Sequence, residues 1–476
     1  MTCPGIAGVG AYAPRLRVTA ETVAAAWGRF DAAGIETTAV PEADEDALTM
    51  AVAAGRRALT AAGVDSGAVA HLAFATTTPP LAEGDLTARL TSVLGTPETA
   101  HTQTVTGSTR AGAQALVGAL EAGPWGEQVG LVVASDCPRG APDSGIEHAA
   151  GAGAGALVLA ADGPAAVTGY ASHSHPAPGS RFRQSGETET TGLGVTAYDR
   201  ETFTSTLGRA ADQLDSETTV DAAAVQSPDG KLPYRAAPAL GVETETIAAA
   251  ETVSRLGDTG AASVFLGLAS ALEEGAGSVL LGAHGGGAGA TVARIEGAAP
   301  VTVTTDGGEQ LDYPAYLRRR GEITREEPAG GGAYVSVPTW QQTIPQRHRL
   351  VAGRCPDCQA LNIPPEGACR VCRHRPETYP TVDLPGTGTV EAATRIEQGG
   401  APPEFVPQQS QSGPYVSAVV ALDGPDGETV SVPAQVIAGG QSVDIGTPVT
   451  AVVRRLYTQE GVTRYGFKMQ VAGLRA

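Results

Sequence analysis

Four of the six cysteines in this 476-residue sequence stand in one short segment, Cys355-Pro-Asp-Cys358 and Cys369-Arg-Val-Cys372. Two CxxC knuckles ten residues apart offer four thiolates to one tetrahedral ion. Cys355, Cys358, Cys369 and Cys372 therefore read as a structural Zn2+ site. Cys3 and Cys137 stand alone, so the pattern is no disulfide framework and fits a reducing, cytoplasmic setting. The second place to look for chemistry is Thr104–Ala160, where a Gly-Ser-Thr turn at Gly107–Thr109 opens a run rich in Ala and Gly. Ser or Thr before such a run is a helix N-cap signal. A buried helix start beside a strand end favours negative charge or a nucleophile of lowered pKa. The residues just before Gly107 are thus the first candidates.

The elements that must position these groups follow from the pattern. The run from Gly107 predicts a helix to about Glu121, followed by a strand at Val129–Ala134. A second such unit begins at Gly257-Asp258-Thr259, with a helix over Ala261–Glu273 and a strand at Ser278–Gly282. Strands precede both helices, at His71–Thr77 and Ala222–Gln226. Self-similarity at this spacing predicts an internally duplicated α/β domain. Asp44–Leu59 reads as a further helix, and Ser172–Thr196 as a polar, Gly-rich segment too long for a tight connection. A loop of that length is a substrate-covering element or an insert. The boundary falls in Glu309–Gln346, around Gly330-Gly331-Gly332. Beyond it, strands at Gly388–Thr394, Val416–Leu422, Thr429–Val436, Pro448–Arg455 and Arg464–Gln470 suggest a small closed barrel of the OB type.

Composition bounds the function. The formal charge of −19 argues against a nucleic-acid surface, and no apolar run is long enough for a membrane span. Aromatics are 4% against 62 glycines, so the cores are built from Ala, Val and Leu. Only Lys231 and Lys468 are lysines; the remaining basic charge is arginine.

With these residues in view, residues 5 to about 320 resemble the hydroxymethylglutaryl-CoA synthase branch of the thiolase superfamily. The matching pieces include GVGAYAPR, DEDALTMAV, ATTTPP, GSTRAG, LVVASD, GAGAGALVL, FRQSGE, QSPDGK, GDTGAASVFLGLASALE and GAHGGG. Residues 351–476 resemble the zinc-ribbon/OB proteins that accompany thiolases and synthases. The resemblance implies a duplicated five-layered thiolase fold, then a rubredoxin-like zinc ribbon and an all-β OB barrel. Its parts would be an N-terminal half over 1–165, a C-terminal half over 166–325, a ribbon over 345–380 and a barrel over 381–476. It further implies a coenzyme A thioester as ligand, a homodimer through the thiolase-like part, and a thiolase as a possible partner.

The resemblance also implies a cysteine, a histidine and a glutamate acting together, and here the sequence departs from it. The cysteine of Cys-x-x-Gly-Thr falls on Thr104, the glutamate on Thr77 and the histidine of His-x-Pro-x-x-Lys on Gln226. The asparagine of the Gly-Asn motif falls on Asp258. A threonine hydroxyl needs a base within reach, and neither Gln226 nor Thr77 supplies one. The remaining titratable candidates are Asp258, as acid/base group or N-cap, and His284 in the turn Ala283-His284-Gly285-Gly286. Cys137 reads as a small residue at a strand end or a substitute nucleophile. Lys231 reads as a ligand for a CoA phosphate or a surface lysine, with Gly286 on the ligand wall. Two functional classes follow from the resemblance: an enzyme of carbon–carbon bond formation or cleavage on acyl-CoA, the cleavage of retro-aldol type, or an inactive scaffold that binds acyl-CoA beside an active thiolase or synthase.

Overall fold

The computed structural model describes residues 4–123, 125–214, 219–323, 337–397, 399–459 and 461–474. Cys3 and the Gly330–Gly332 boundary lie outside the described residues. The chain divides into two compact units, one holding the described residues of 1–41 and 46–316, the other those of 42–45 and 317–474.

The first unit is built on β1 (Gly5–Tyr12), β2 (Val69–Thr76), β3 (His101–Thr106), β4 (Val129–Asp136) and β5 (Gly153–Ala160), then β6 (Ala165–Ala177), β7 (Ala222–Val225), β8 (Ser278–Gly285) and β9 (Gly287–Glu296). Its first half has the order β3-β2-β4-β5-β1 and its second β6-β9-β8-β7. The pairings repeat. β2 runs parallel to β4, and β5 antiparallel to both β4 and β1. Likewise β7 runs parallel to β8, and β9 antiparallel to both β8 and β6. The duplication inferred from the two helix starts is therefore a repeat of strand pairing. The halves join where Gly5 and Ile6 of β1 meet Ala166 and Ala165 of β6.

Four helices make the layers: α1 (Ala47–Ala62), α2 (Ala111–Ala122), α3 (Thr196–Ala211) and α4 (Ser263–Glu273). Side chains alternate across a strand, so each sheet serves two layers. Ala73, Ala75, Val132 and Ala134 of the first half, with Ala222, Ala224, Val279, Leu281 and Ala283 of the second, share one apolar core with α2 and α4. The intervening residues of the second half, Ala223, Val225 and Leu280, face outward against Phe203 and Leu207 of α3. On the far side α1 lies against β1 closely enough that a Cβ at Gly10 would sit 2.3 Å from the Ala54 carbonyl oxygen. Helix, sheet, two central helices, sheet, helix is the five-layered arrangement. The helix α1 begins at Ala47 rather than Asp44, because Asp46 caps it in a reciprocal box with Thr49.

The second unit opens with short strands Val351–Arg354, Leu361–Asn362 and Thr381–Asp383 around the cysteine knuckles. A closed barrel follows, made of β10 (Thr387–Ile396), β11 (Tyr415–Asp423), β12 (Thr429–Ile437), β13 (Pro448–Gln459) and β14 (Val462–Val471) in the order β10-β11-β12-β14-β13. Closure removes free strand edges. No helix of the described residues is long and apolar enough to cross a membrane.

Candidate functional site

The head of α2 meets the second half of its own unit. A Cβ at Gly112 would stand 2.4 Å from the Ala261 carbonyl oxygen, so a side chain there would push the two central helices apart. One turn before Gly112, Thr109 is buried and donates its hydroxyl proton to the main-chain oxygen of His284 at 2.6 Å. Thr109-Arg110-Ala111-Gly112 has the Cys-x-x-Gly spacing, and Thr109 lies directly ahead of the helix. Thr104 does not. It sits in β3, the edge strand, paired in register with Phe74, and its side chain is exposed. The Cys-x-x-Gly spacing therefore occurs twice, and only the copy at Thr109 stands at a helix start packed on the second half. Gly107, the glycine of the Thr104 copy, is a positive-φ turn glycine.

Asp136, at the end of β4 and fully buried, ties the other candidates together. Its Oδ1 accepts from the Thr76 hydroxyl at 2.9 Å, from the Thr77 and Thr78 N–H groups at 2.6 and 2.9 Å and from the Thr78 hydroxyl at 2.9 Å. Its Oδ2 accepts from the Thr77 hydroxyl at 2.9 Å and from the Ala261 N–H at 2.7 Å. Burial pushes the Asp136 pKa up and outweighs the Ala261 N–H and the threonine groups, which pull it down. Gly260 has φ 53°, and a Cβ there would stand 2.2 Å from Asp136 Oδ2, so only glycine passes this point. Asp258 is buried, accepts from the Gly260 N–H at 3.0 Å and is ion-paired to Arg181. Arg183, two residues on, donates to the Thr77 carbonyl. The segment after β6 therefore lies over both halves. It is a narrow hairpin, with Phe182 and Thr191 exchanging backbone hydrogen bonds at 2.8 Å, and not a structureless loop.

Gln226 follows β7, buried, its N–H on the Gly282 carbonyl at 2.8 Å. Gly282 is two residues before His284 on β8, so Gln226 and Thr109 abut the same strand end. His284 itself turns away. Leu280 and His284 share the outer face of β8, and the imidazole lies 4.9 Å from the Phe203 ring of α3. It meets Thr109 through its carbonyl alone. Burial, then the Arg110 charge, lower its pKa to about 4. The expectation of His284 as the base is corrected on this ground: its ring is on the face opposite the Thr109 wall. Gly286 lies against the segment after β6, where a Cβ would be 2.5 Å from the Arg181 carbonyl oxygen. Lys231 is exposed at the head of a short turn, its N–H on Asp229 Oδ1 at 2.7 Å. Cys137 is half-buried beside the Thr78 hydroxyl, with 3.7 Å from Sγ to Oγ1.

In the second unit the four cysteine sulfurs all lie within 4.8 Å of one another. Cys355–Cys372 and Cys358–Cys369 are each 3.6 Å apart, close to the roughly 3.8 Å edge of a tetrahedron with about 2.3 Å zinc–sulfur bonds. The knuckles repeat each other: each ends on a left-handed residue, Gln359 at φ 62° and Arg373 at φ 65°. Asn362 Nδ2 donates to Cys369 Sγ at 3.6 Å, the kind of supporting contact that fixes a ligand. This donor set fits a structural Zn2+, all four ligand positions being supplied by thiolates.

Comparison with known proteins fits this geometry. The hydroxymethylglutaryl-CoA synthase of Caldivirga maquilingensis is 30% identical over 341 residues, 66% of this chain and 97% of that protein. The synthase of Methanopyrus kandleri is 30% identical over 60% of this chain and 85% of its own length. This chain belongs to the hydroxymethylglutaryl-CoA synthase family. Among solved structures, an MvaS in complex with 3-hydroxy-3-methylglutaryl coenzyme A matches with a TM-score of 0.58 at 20% identity, over 71% of this chain and 94% of that one. A hydroxymethylglutaryl-CoA synthase complexed with CoA matches with a TM-score of 0.60 at 18% identity, over 70% and 95%. These establish the shared fold. Residues 343–377 match the rubredoxin-like zinc ribbon domain of ChsH2, and residues 381–454 its C-terminal OB-fold domain. The chain is thus a synthase-family unit carrying a zinc ribbon and an OB barrel.

Proposed function

We propose that this protein binds an acyl-CoA thioester in its first unit and acts on the carbon–carbon bond beside the thioester without forming an acyl-enzyme. The Thr109 hydrogen bond carries this reading. A nucleophile at that position must lose its proton, and the Thr109 proton is held by the His284 amide carbonyl, which cannot take it. Gln226 and Thr77, at the family's histidine and glutamate positions, have no group that could. The N-terminus of α2 still offers partial positive charge to a thioester oxygen that becomes an enolate. The chemistry that such a site supports is retro-aldol cleavage of a 3-hydroxyacyl thioester. A base takes the 3-hydroxyl proton, the C2–C3 bond breaks, the oxygen becomes a carbonyl, and the electron pair passes to the thioester enolate, which is then protonated. Asp258 is the carboxylate proposed for that proton, with Arg181 holding it. Lys231 and Gly286 are proposed contacts of the CoA.

The test is incubation with a panel of acyl-CoA thioesters, read by intact-protein mass spectrometry and by product analysis. The native chain should carry no acyl adduct, whereas Thr109→Cys, with a thiol at a helix start, should capture one. Acylation of the native chain overturns the reading, and so does failure of every thioester to bind. A second reading is favoured by the same immobilised hydroxyl: an inactive acyl-CoA-binding partner of an active thiolase or synthase. Binding without turnover, with turnover restored only on adding such an enzyme, selects it. We also propose a cytoplasmic homodimer joined along β3, whose side chains are largely exposed and which pairs on one edge only; light scattering measures that mass directly.

A further inference from the structure

Ten residues separate the two cysteine knuckles, and one buried side chain joins them. Asn362 ends the short strand Leu361–Asn362 and is paired with Gly353, on the strand that leads into Cys355. It is 3% exposed. Its Nδ2 donates to the Ala360 carbonyl at 2.9 Å and to Cys369 Sγ at 3.6 Å, while its Oδ1 accepts from the Arg370 N–H at 2.9 Å. The Ala360 oxygen also accepts from the Cys355 N–H at 2.9 Å. The backbone of the first knuckle and the sulfur and backbone of the second thus meet on one residue that carries no ligand atom.

The direction of this amide is set by partners with a single role. A carbonyl oxygen only accepts and a main-chain N–H only donates. Turning the amide over would set oxygen against oxygen at Ala360 and N–H against N–H at Arg370. The second proton of Nδ2 is therefore aimed at Cys369 by contacts that do not involve the metal. The Val371 and Cys372 N–H groups, within the knuckle, also donate to this sulfur; Asn362 adds a donor from outside it. Cys369 is fully buried, so water does not supply that donor instead. Four thiolates around a divalent ion carry a charge of 2 − 4 = −2. A buried centre of that charge is stabilised by each N–H that shares it.

We propose that Asn362 is a positioning residue of the Zn2+ site, which holds Cys369 at ligand distance and draws charge off its thiolate through the N–H···S hydrogen bond. Zinc affinity then depends on a residue seven positions ahead of the third ligand, and on its polarity more than its size. This is independent of the acyl-CoA reading. Asn362→Asp isolates the effect, because it keeps the shape and the acceptor for the Arg370 N–H while removing the donor that faces Cys369 and Ala360.

The experiment uses the metal-stripped full-length protein. Zinc affinity is measured by competition with a chromophoric chelator, and the thiolate-to-metal charge-transfer band is recorded after loading with Co2+. Loss of a supporting contact of this kind costs about 10- to 100-fold in metal affinity. Asn362→Asp should lie near the upper end of that range. Asn362→Ala, which leaves room for a water to donate in its place, should lie near the lower end. In both variants the Co2+ band should move to longer wavelength, since a thiolate that has lost a hydrogen bond gives up its electrons more easily. A residue that merely fills space would leave the band where it is. Native zinc affinity in Asn362→Asp overturns the proposal, and so does an unmoved Co2+ band in both variants even if affinity falls. Should Asn362→Asp fail to fold, Asn362→Ala decides: a tenfold loss with a shifted band supports the proposal, and native affinity overturns it.

Discussion

Lowering the pH from 7 to 5 should destabilise the first unit by about 2 kcal/mol through His284 alone. Its imidazole is buried against Phe203, and its pKa falls from 6.5 to about 4. A group whose folded pKa is depressed contributes stability that is present above its unfolded value and is lost as the pH falls towards the folded one. The window therefore runs from about 6.5 down to about 4. At pH 5 the unfolded chain has bound its proton and the folded chain has not, a gap of roughly 1.5 pH units, or about 2 kcal/mol. For a unit of roughly 300 residues that is about 3 °C in melting temperature. The assay is thermal unfolding of the native chain and His284→Gln at both pH values. Other groups also titrate in this range, so the quantity read is the difference of differences. The native chain should lose about 3 °C more than the variant on going from pH 7 to 5. Equal losses would mean that the imidazole is not held neutral behind the sheet, and the argument against it as the site's base would fail with it.

Other perturbations test separate parts of the structure. Cys355→Ser should lower metal content below one zinc per chain and reduce the stability of the second unit, as followed by metal analysis and proteolysis; unchanged stoichiometry refutes the ribbon site. Gly112→Ala places a Cβ 2.4 Å from the Ala261 carbonyl oxygen and should cost about 1–3 kcal/mol in chemical denaturation, against almost nothing for Gly308→Ala, where a Cβ meets no atom within 4 Å. Gly260→Ala should be at least as damaging, because it adds left-handed strain to the clash with Asp136. Asp46→Ala should remove about 1 kcal/mol by uncapping α1, measurable as a lower denaturation midpoint.

The particular elements show which of this was readable in advance. The zinc site was legible because its ligands are close in sequence, and two knuckles ten residues apart leave little freedom. The duplication was legible because each copy brings its own strand, small-residue helix and strand. The barrel strands were legible from their alternation and turns, with boundaries off by a residue or two except at the end of β13, which runs on from Arg455 to Gln459. The nucleophile position was not, since two glycines five residues apart both follow a threonine three residues earlier. Gly112 is distinguished from Gly107 only by what packs on it, the carbonyl of Ala261, some 150 residues away. Asp136 was missed for the same reason. In sequence it is an acid at the end of an apolar strand, and its six donors come from Thr76–Thr78 and Ala261.

His284 gives the clearest division. Sequence alone set its residue type, its strand and its place before a run of glycines. It could not say which face of β8 the ring takes, because a one-residue change of register reverses every side chain. That was decided by α3, whose Phe203 and Leu207 cover the outer face, while Thr109 reaches the same residue from the inner side through its carbonyl. Local pattern determined the elements and the metal ligands; long-range packing alone determined which atoms of those elements meet, and so which of them can do chemistry.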